Sequence, residues 1–120
     1  MLKNNLFTIQ KKEAMENGCI YYLLFNALHS IYAAHFPGNP VTPGACIIQI
    51  IKELAEDLYQ KEMRIISVKN TKFLNVINPL ETKEIKIQLS CTNCDDGSIS
   101  ASGIVTDETT VFAKVSLILL

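Results

Sequence analysis

The segment that decides the fold lies between His35 and Gln49 and reads HFPGNPVTPGACIIQ. It holds three of the four prolines, two of the five glycines and one of the two histidines of the chain. Its last residues begin an almost wholly apolar run, Ala45–Ile51, which opens the longest helical pattern in the sequence. A histidine in a stiff Pro/Gly loop beside a helix N-terminus suits a base next to an anion-stabilising dipole. The segment therefore predicts a site for chemistry at a loop-to-helix junction.

The bulk properties limit the class of protein. The chain has 120 residues, of which 48% are hydrophobic and 19% charged, and a net charge of −1. This length predicts a single domain over residues 1–120, and the near-neutral charge favours neither nucleic acid nor an anionic membrane as a partner. The longest apolar run, Cys19–Leu28, is too short to span a membrane. No secretory leader is recognised, so we expect a cytoplasmic protein.

Two of the four cysteines form a C-x-x-C pair, Cys91 and Cys94. A zinc site would need two further ligands at a matching spacing. A redox pair needs its first cysteine at a helix N-terminus, where the dipole lowers the thiol pKa. Because this pair ends a strand pattern and enters the turn Asp95–Gly97, we expect two free thiols and no metal site.

The hydrophobic pattern predicts one long helix among about six strands. Thr42 is predicted as the helix N-cap and Pro43 as the first helical residue. The first half of the helix is predicted to be enclosed by the protein and the second half to be one-sided. The predicted helix covers residues 44–60, and the strands cover 7–13, 19–28, 63–76, 83–92, 98–106 and 109–120. The strand at 19–28 is apolar enough to be covered on both faces. Short connections make the later strands antiparallel neighbours, and the fold class is α+β, a curved antiparallel sheet wrapped around one central helix.

The loop and helix start resemble the 3-hydroxyacyl-[acyl carrier protein] dehydratases of fatty-acid synthesis. The match comprises His35–Gly38, Pro40 and Pro43-Gly44 in fixed register, with Thr42 where methionine is usual. Residues 68–73 and 78–81 resemble the strand and turn that follow in that family. The resemblance implies the hotdog fold and a hydro-lyase that eliminates water from a 3-hydroxyacyl thioester to give a trans-2-enoyl thioester. It implies no cofactor.

The resemblance also implies roles for residues around the loop. His35 would be the base that removes the C2 proton, because histidine titrates near neutral pH. Gly38 and Gly44 could offer backbone N–H groups to the thioester oxygen without a side chain in the way. Phe36 and Pro43 would complete the substrate-binding surface.

The general acid is the point at which this chain departs from the family. The family places an acidic residue fourteen positions after the histidine, and this chain has Gln49 there. An amide can hold the departing hydroxyl but cannot protonate it, and loss of a general acid typically costs about 10²–10⁴ in rate. Glu53 lies one turn further on the same face, where the family commonly has glutamine, so the two residue types could be exchanged. The alternative is a solvent-facing polar stripe made of Gln49, Lys52, Glu53, Glu56 and Gln60.

Two other functions stay open. Proteins of this family pair so that the histidine of one subunit faces the helix of the other. A half-catalytic or non-catalytic subunit that pairs with an acid-bearing homologue is therefore one alternative to a homodimer or higher oligomer. An acyl thioesterase that uses Glu53 is the second.

The partners follow from the same resemblance. The substrate would be carried by acyl carrier protein or coenzyme A. An acidic carrier could dock on Lys69, Lys72, Lys83 and Lys86, although scattered surface lysines would look the same in the sequence. His29 has no motif around it, and we expect a structural or surface role for it.

Overall fold

The computed structural model describes residues 1–34 and 40–120. The elements are β1 (Phe7–Met15), β2 (Gly18–Phe25), α1 (Ser30–Ala34), α2 (Gly44–Tyr59), β3 (Ile65–Val68), β4 (Lys72–Phe73), β5 (Glu84–Asn93), β6 (Ile99–Thr106) and β7 (Val111–Leu119). The seven strands form one sheet in the order β1-β2-β5-β6-β7-β3, and β4 also pairs with β7. Every strand pair in it is antiparallel. The predicted α+β architecture, an antiparallel sheet against one long helix, is confirmed.

The sheet encloses α2 because its strands alternate apolar and polar residues. Ile85, Ile87 and Leu89 of β5 are buried, while the residues between them are exposed. The helix packs closely on this face at Gly103 of β6, where an added Cβ would lie 2.4 Å from the Cδ1 atom of Ile51. A larger residue at position 103 would therefore push the helix away from the sheet.

Side chains in the turns explain why the hairpins close where the sequence predicts. Gly97, between β5 and β6, has a φ of 89°, which favours glycine. The carboxylate of Asp96 accepts hydrogen bonds from the backbone N–H and the hydroxyl of Ser98, at 3.0 and 2.6 Å. Asp107 accepts backbone N–H groups in the same way between β6 and β7. These Asx-type contacts fix the two antiparallel connections.

Strand β2 differs from its prediction in length and in burial. It ends at Phe25 rather than at residue 28, because Asn26 turns the chain: its Oδ1 accepts the backbone N–H of Leu28 at 3.0 Å and its Nδ2 donates to the carbonyl of Asn5 at 3.0 Å. Only alternate residues of the strand are buried, beginning with Cys19. The expectation that both faces are covered is therefore wrong for the single chain.

The predicted strand at 63–76 is two short strands, β3 and β4. Both pair with β7, with Ile65 opposite Leu119 and Lys72 opposite Lys114. The exposed residues Lys69 and Asn70 separate them. This break accounts for seven strands where the sequence predicts about six.

Helix α2 begins at Gly44 and ends at Tyr59, and Gln60 follows in the left-handed conformation with a φ of 54°. The predicted N-cap is wrong: Pro43 occupies that position, and no side chain caps the helix. Burial is deepest in the middle of the helix, whereas Ala45 is exposed and Ile48 is only partly buried. The expectation that the first half is enclosed is therefore wrong for the single chain. No helix in the described ranges is long and apolar enough to cross a membrane.

Candidate active site

The predicted site residues fall into two groups. His35, Phe36 and Gly38 lie outside the described residues. Pro43 and Gly44 lie at the start of α2, and Gln49 and Glu53 follow on the same helix. The described part of the candidate site is therefore the start of α2 and the residues that follow on that helix.

A buried pair of hydroxyl groups joins the two segments that flank residues 35–39. The hydroxyl oxygens of Tyr32, in α1, and Thr42, just before α2, lie 2.9 Å apart. Burial raises the pKa of the Tyr32 phenol. The backbone N–H of Thr42 donates to the carbonyl of Ile77 at 2.9 Å, which ties this segment to the chain after β4. Thr42 is therefore a bridge between segments and not a helix cap.

Gly44, the first residue of α2, allows an aromatic ring to pack close to the helix N-terminus. A Cβ added there would lie 2.9 Å from the ring of Phe73 in β4, so the absence of a side chain allows this contact. The backbone N–H groups of Cys46 and Ile47 donate to the carbonyl of Pro43 at 3.0 and 3.2 Å. The first N–H groups of a helix have no acceptor within the helix, which makes Gly44 and Ala45 the available donors for an anion.

Gln49 and Glu53 are joined directly. The amide nitrogen Nε2 of Gln49 donates to Oε2 of Glu53 at 2.9 Å. Glu53 is only 2% exposed, so the solvent-facing stripe is wrong for this residue. Its carboxylate also accepts the backbone N–H of Leu2, at 3.0 Å on Oε1 and 2.9 Å on Oε2, and that of Lys3 at 2.8 Å on Oε1.

Asp57 lies one turn after Glu53 and contacts the same N-terminal segment. Its carboxylate lies 3.8 Å from the ammonium of Lys3 and 3.2 Å from that of Lys12. It also accepts the hydroxyl of Tyr21 at 2.9 Å, and burial with this contact raises the pKa of the phenol. We call residues 1–3 the N-terminal strap, because they are bound to α2 through Glu53 and Asp57.

The cysteines do not form an activated pair. All four are free. Burial raises the pKa of the Cys91 thiol to about 11, the opposite of what a redox cysteine needs. Burial also raises the pKa of Cys46, although this residue lies in the first turn of α2. Within the described ranges, no three His, Cys, Asp or Glu side chains are grouped to hold a metal.

The remaining candidates lie apart from this cluster. Nδ1 of His29 accepts the backbone N–H of Ile31 at 3.1 Å and so caps α1, which confirms its expected structural role. The four lysines of the predicted docking patch are exposed. Lys72 begins β4 and Lys69 lies just before it, whereas Lys86 lies in β5 and Lys83 just before it. Strands β6 and β7 run between the two pairs. A docking role for them stays a prediction.

Comparison with known proteins identifies the relatives of this chain. Residues 10–106 match the model of the ApeI-like family, described as ApeI dehydratase. A 3-hydroxyacyl-[acyl-carrier-protein] dehydratase FabZ from Latilactobacillus sakei is 30% identical over 97 residues, 75% of this chain and 69% of that protein. The FabZ of Lactiplantibacillus plantarum is 28% identical over 86 residues, and the match spans 66% of this chain but only 58% of that enzyme.

Solved structures agree on the fold. The dehydratase heterocomplex ApeI:P from Xenorhabdus doucetiae superposes with a TM-score of 0.67 at 15% identity, covering 92% of this chain and 95% of that one. A thioesterase from Haemophilus influenzae superposes with a TM-score of 0.60 at 13% identity, covering 98% and 80%. At such identities the likeness shows the fold alone, and the predicted hotdog fold is confirmed.

Proposed function

The chain belongs to the ApeI-like dehydratase family, and from this membership we propose that it takes part in eliminating water from 3-hydroxyacyl thioesters. The observation that carries the proposal is the family match over residues 10–106, which includes the loop, α2 and most of the sheet. The product would be a trans-2-enoyl thioester for fatty-acid or specialised lipid synthesis. The acyl group would be carried by acyl carrier protein or coenzyme A.

In the proposed reaction, His35 takes the C2 proton and the released electron pair forms the C2–C3 double bond as hydroxide leaves C3. Backbone N–H groups of Gly38 and Gly44 stabilise charge on the thioester oxygen. Phe36 and Pro43 contact the acyl chain. Hydroxide needs a proton to leave as water, and the amide of Gln49 holds the hydroxyl but has no such proton to give. The proton therefore comes from the imidazolium of His35 or from an acid on another chain.

A partner chain is supported by the difference between the two edges of the sheet. Strand β1 is an edge with charged residues such as Lys11 and Glu13 and a bulge, devices that protect an edge from pairing. The β3–β4 edge instead exposes a set of large apolar side chains, each at 47% or more: Ile66, Val68, Phe73, Leu74 and Val76. A contiguous apolar edge of this kind is typical of an interface. We therefore propose a dimer or higher oligomer that forms through this edge.

The alternative of a half-catalytic subunit is favoured by one specific observation. Gln49 stands at the acid position, and the nearest carboxylate, that of Glu53, is occupied by Gln49 and by the N-terminal strap. A homodimer would then lack a free acid, whereas pairing with an acid-bearing homologue would complete a site with His35 from this chain. The same occupation of Glu53 counts against the thioesterase alternative.

The proposal is tested by turnover of a short 3-hydroxyacyl carrier-protein thioester, followed by the ultraviolet absorbance of the conjugated product. The wild type is run beside His35→Ala and Gln49→Glu. We expect a slow wild type, loss of turnover in His35→Ala, and an increase of about 10²-fold in Gln49→Glu, since a general acid contributes on this scale.

The outcomes separate the candidate functions. Release of free thiol without a conjugated product would show thioester hydrolysis. A silent homomer that turns over only with an acid-bearing relative added would show the half-catalytic subunit. Unchanged turnover in His35→Ala would contradict the proposed base.

A further inference from the structure

The carboxylate of Glu53 is held on two sides. From the strap, the backbone N–H groups of Leu2 and Lys3 donate to its oxygens at 2.8–3.0 Å. From the preceding helical turn, Nε2 of Gln49 donates to Oε2 at 2.9 Å. Since Glu53 is only 2% exposed, these contacts fix a buried group and are not screened as a surface pair would be.

The contact with Glu53 decides which way the amide of Gln49 points. A carboxylate only accepts hydrogen bonds, so the nitrogen of the amide must face it and the carbonyl oxygen Oε1 must face away. Oε1 has no partner among the described residues, and every buried side-chain nitrogen or oxygen atom of those residues has one. Oε1 is therefore not fully buried, and it can accept a hydrogen bond from a ligand.

We propose that Glu53 is a positioning residue that turns Oε1 of Gln49 outward, so that the site selects acyl chains with a 3-hydroxyl group over those with a 3-oxo group. This inference rests on the proposed function, because it takes Gln49 as the residue that meets the C3 substituent. A 3-hydroxyl group donates a hydrogen bond to Oε1. A 3-oxo group offers only lone pairs, and two acceptors facing each other leave both unsatisfied.

The N-terminal strap helps to set the orientation of the Gln49 amide. Two backbone N–H groups of the strap require an acceptor at position 53: both donate to Oε1, and that of Leu2 also donates to Oε2, the oxygen that accepts the amide of Gln49. The ion pair of Lys3 with Asp57, at 3.8 Å, keeps the strap in place. The amide of Gln49 thus takes its direction from residues that lie about 50 positions away in the chain.

The substitution Glu53→Gln makes a specific prediction. The new amide must turn its oxygen to the strap, where Leu2 and Lys3 donate, and so it presents its NH₂ group to Gln49. Gln49 then rotates to offer its own oxygen inward and its nitrogen outward. The outward group changes from acceptor to donor, and the preference for the hydroxy ligand is expected to be lost or reversed.

The test measures binding to the full chain, so that it does not depend on turnover. The probes are 3-hydroxybutyryl and 3-oxobutyryl pantetheine amides, titrated by calorimetry. We expect the wild type to bind the hydroxy analogue about tenfold more tightly, roughly the value of one well-placed hydrogen bond. Glu53→Gln is expected to bind the oxo analogue equally well or better. Glu62→Gln removes the same charge at an exposed position that lines the same groove but makes none of the hydrogen bonds to Glu53, and it is expected to keep the wild-type preference.

Two further measurements guard against a merely structural effect. Gln49→Leu leaves the contacts of Glu53 with the strap in place and removes Oε1, so the preference is expected to disappear while the fold is kept. The side-chain amide resonance of Gln49 in ¹⁵N spectra reports the contact directly and is expected to shift in Glu53→Gln but not in Glu62→Gln.

The outcomes distinguish this inference from the proposed function. Equal binding of the two analogues by the wild type, or an unchanged preference in Glu53→Gln with a shifted Gln49 resonance, would overturn the inference alone. Failure of both analogues to bind the wild type would overturn the proposed function and this inference with it. A tenfold preference that is lost in both Glu53→Gln and Gln49→Leu, and kept in Glu62→Gln, supports it.

Discussion

The two halves of α2 are held in different ways. The second half is fixed within the chain: Leu54 and Ala55 are fully buried, and Glu53 is bound by the strap. The first half, which carries the residues that resemble the family site, buries Ile47, Ile50 and Ile51. At its start, however, Ala45 is exposed, and Cys46 and Ile48 are only partly buried. A helix start with exposed apolar residues is typical of a surface that binds a substrate or a partner.

This difference shows how the fold separates stability from function. Burial from residue 50 to residue 55 anchors the helix to the sheet, so its first turn can stay open without loss of the fold. The start of the helix is steadied instead by small contacts, the Tyr32–Thr42 hydroxyl pair and the Phe73 ring on Gly44. Substitutions in the two halves should therefore differ in size and in kind.

The largest contrast is expected between Leu54→Ala and Ile48→Ala. Leu54 is fully buried, and its truncation should lower the free energy of unfolding by about 3 kcal/mol because it leaves a cavity. Ile48 is partly buried, and its truncation should cost about 1 kcal/mol. Denaturant unfolding of the two variants measures both. If Ile48→Ala costs as much as Leu54→Ala, another chain covers the first half in solution.

A second comparison concerns the reactivity of two thiols, that of Cys46 near the start of α2 and that of Cys91 in β5. Burial raises the pKa of Cys91 from 9.0 to about 11, so its thiolate fraction near pH 8 falls roughly a hundredfold. A raised pKa keeps the thiol neutral until the pH approaches it, so alkylation of Cys91 should rise with pH up to about 11. The pKa of Cys46 is also raised, so it too should react more slowly than a free thiol. Site-resolved mass spectrometry after iodoacetamide treatment, with denatured protein as the control, measures both rates. Native Cys91 that labels at the denatured rate at pH 8 would contradict the burial argument.

The hydroxyl pair at the start of the helix should have a moderate effect. Tyr32→Phe or Thr42→Val removes one buried hydroxyl and leaves the other without its partner, at a cost of about 1–2 kcal/mol each. The double variant should cost less than the sum, because no hydroxyl is then left unpaired. Thermal unfolding of the four proteins gives the coupling. Strict additivity would mean that the two groups do not interact in solution.

The sequence was sufficient for the elements whose signals are local. Alternating apolar residues in β5 and β7, the turns at Asp96 and Asp107, and the apolar run into α2 all act between near neighbours, and the sheet and helix were predicted from them. The loop motif led to the family before any geometry was known. The roles proposed for His35 and Gly38 stay predictions.

The contacts that the sequence did not indicate join residues far apart in the chain. Threonine is a residue type that favours the N-cap position, but the hydroxyl of Thr42 is hydrogen-bonded to that of Tyr32, ten positions earlier. The helical spacing of Glu53 is also that of a solvent-facing polar stripe, but the side chain is buried and bound by the strap, about 50 positions earlier in the chain. The apolar residues Leu2, within the strap, and Leu6, shortly after it, were the one available signal that the N-terminal segment packs on the protein. Periodicity records which face of a helix is polar and not which distant group covers it.

The smallest effect is expected at Gly44, where two opposing contributions nearly cancel. Alanine favours the helix over glycine by up to about 1 kcal/mol. Its Cβ, however, would lie 2.9 Å from the ring of Phe73, which must move by a few tenths of an ångström. Because that ring is 50% exposed, it can shift at little cost, and the net change in the free energy of unfolding should stay within about 0.5 kcal/mol.

The Phe73→Ala background separates the two contributions. There the new methyl group meets no ring, so Gly44→Ala should stabilise the protein by about 0.5 kcal/mol through helix propensity alone. Chemical denaturation of Gly44→Ala, Phe73→Ala and the double variant gives the comparison. A loss above about 2 kcal/mol for Gly44→Ala in the wild-type background would exceed the cost of moving an exposed ring. It would mean that Phe73 is held in place from outside, as it would be at an interface formed by the β3–β4 edge.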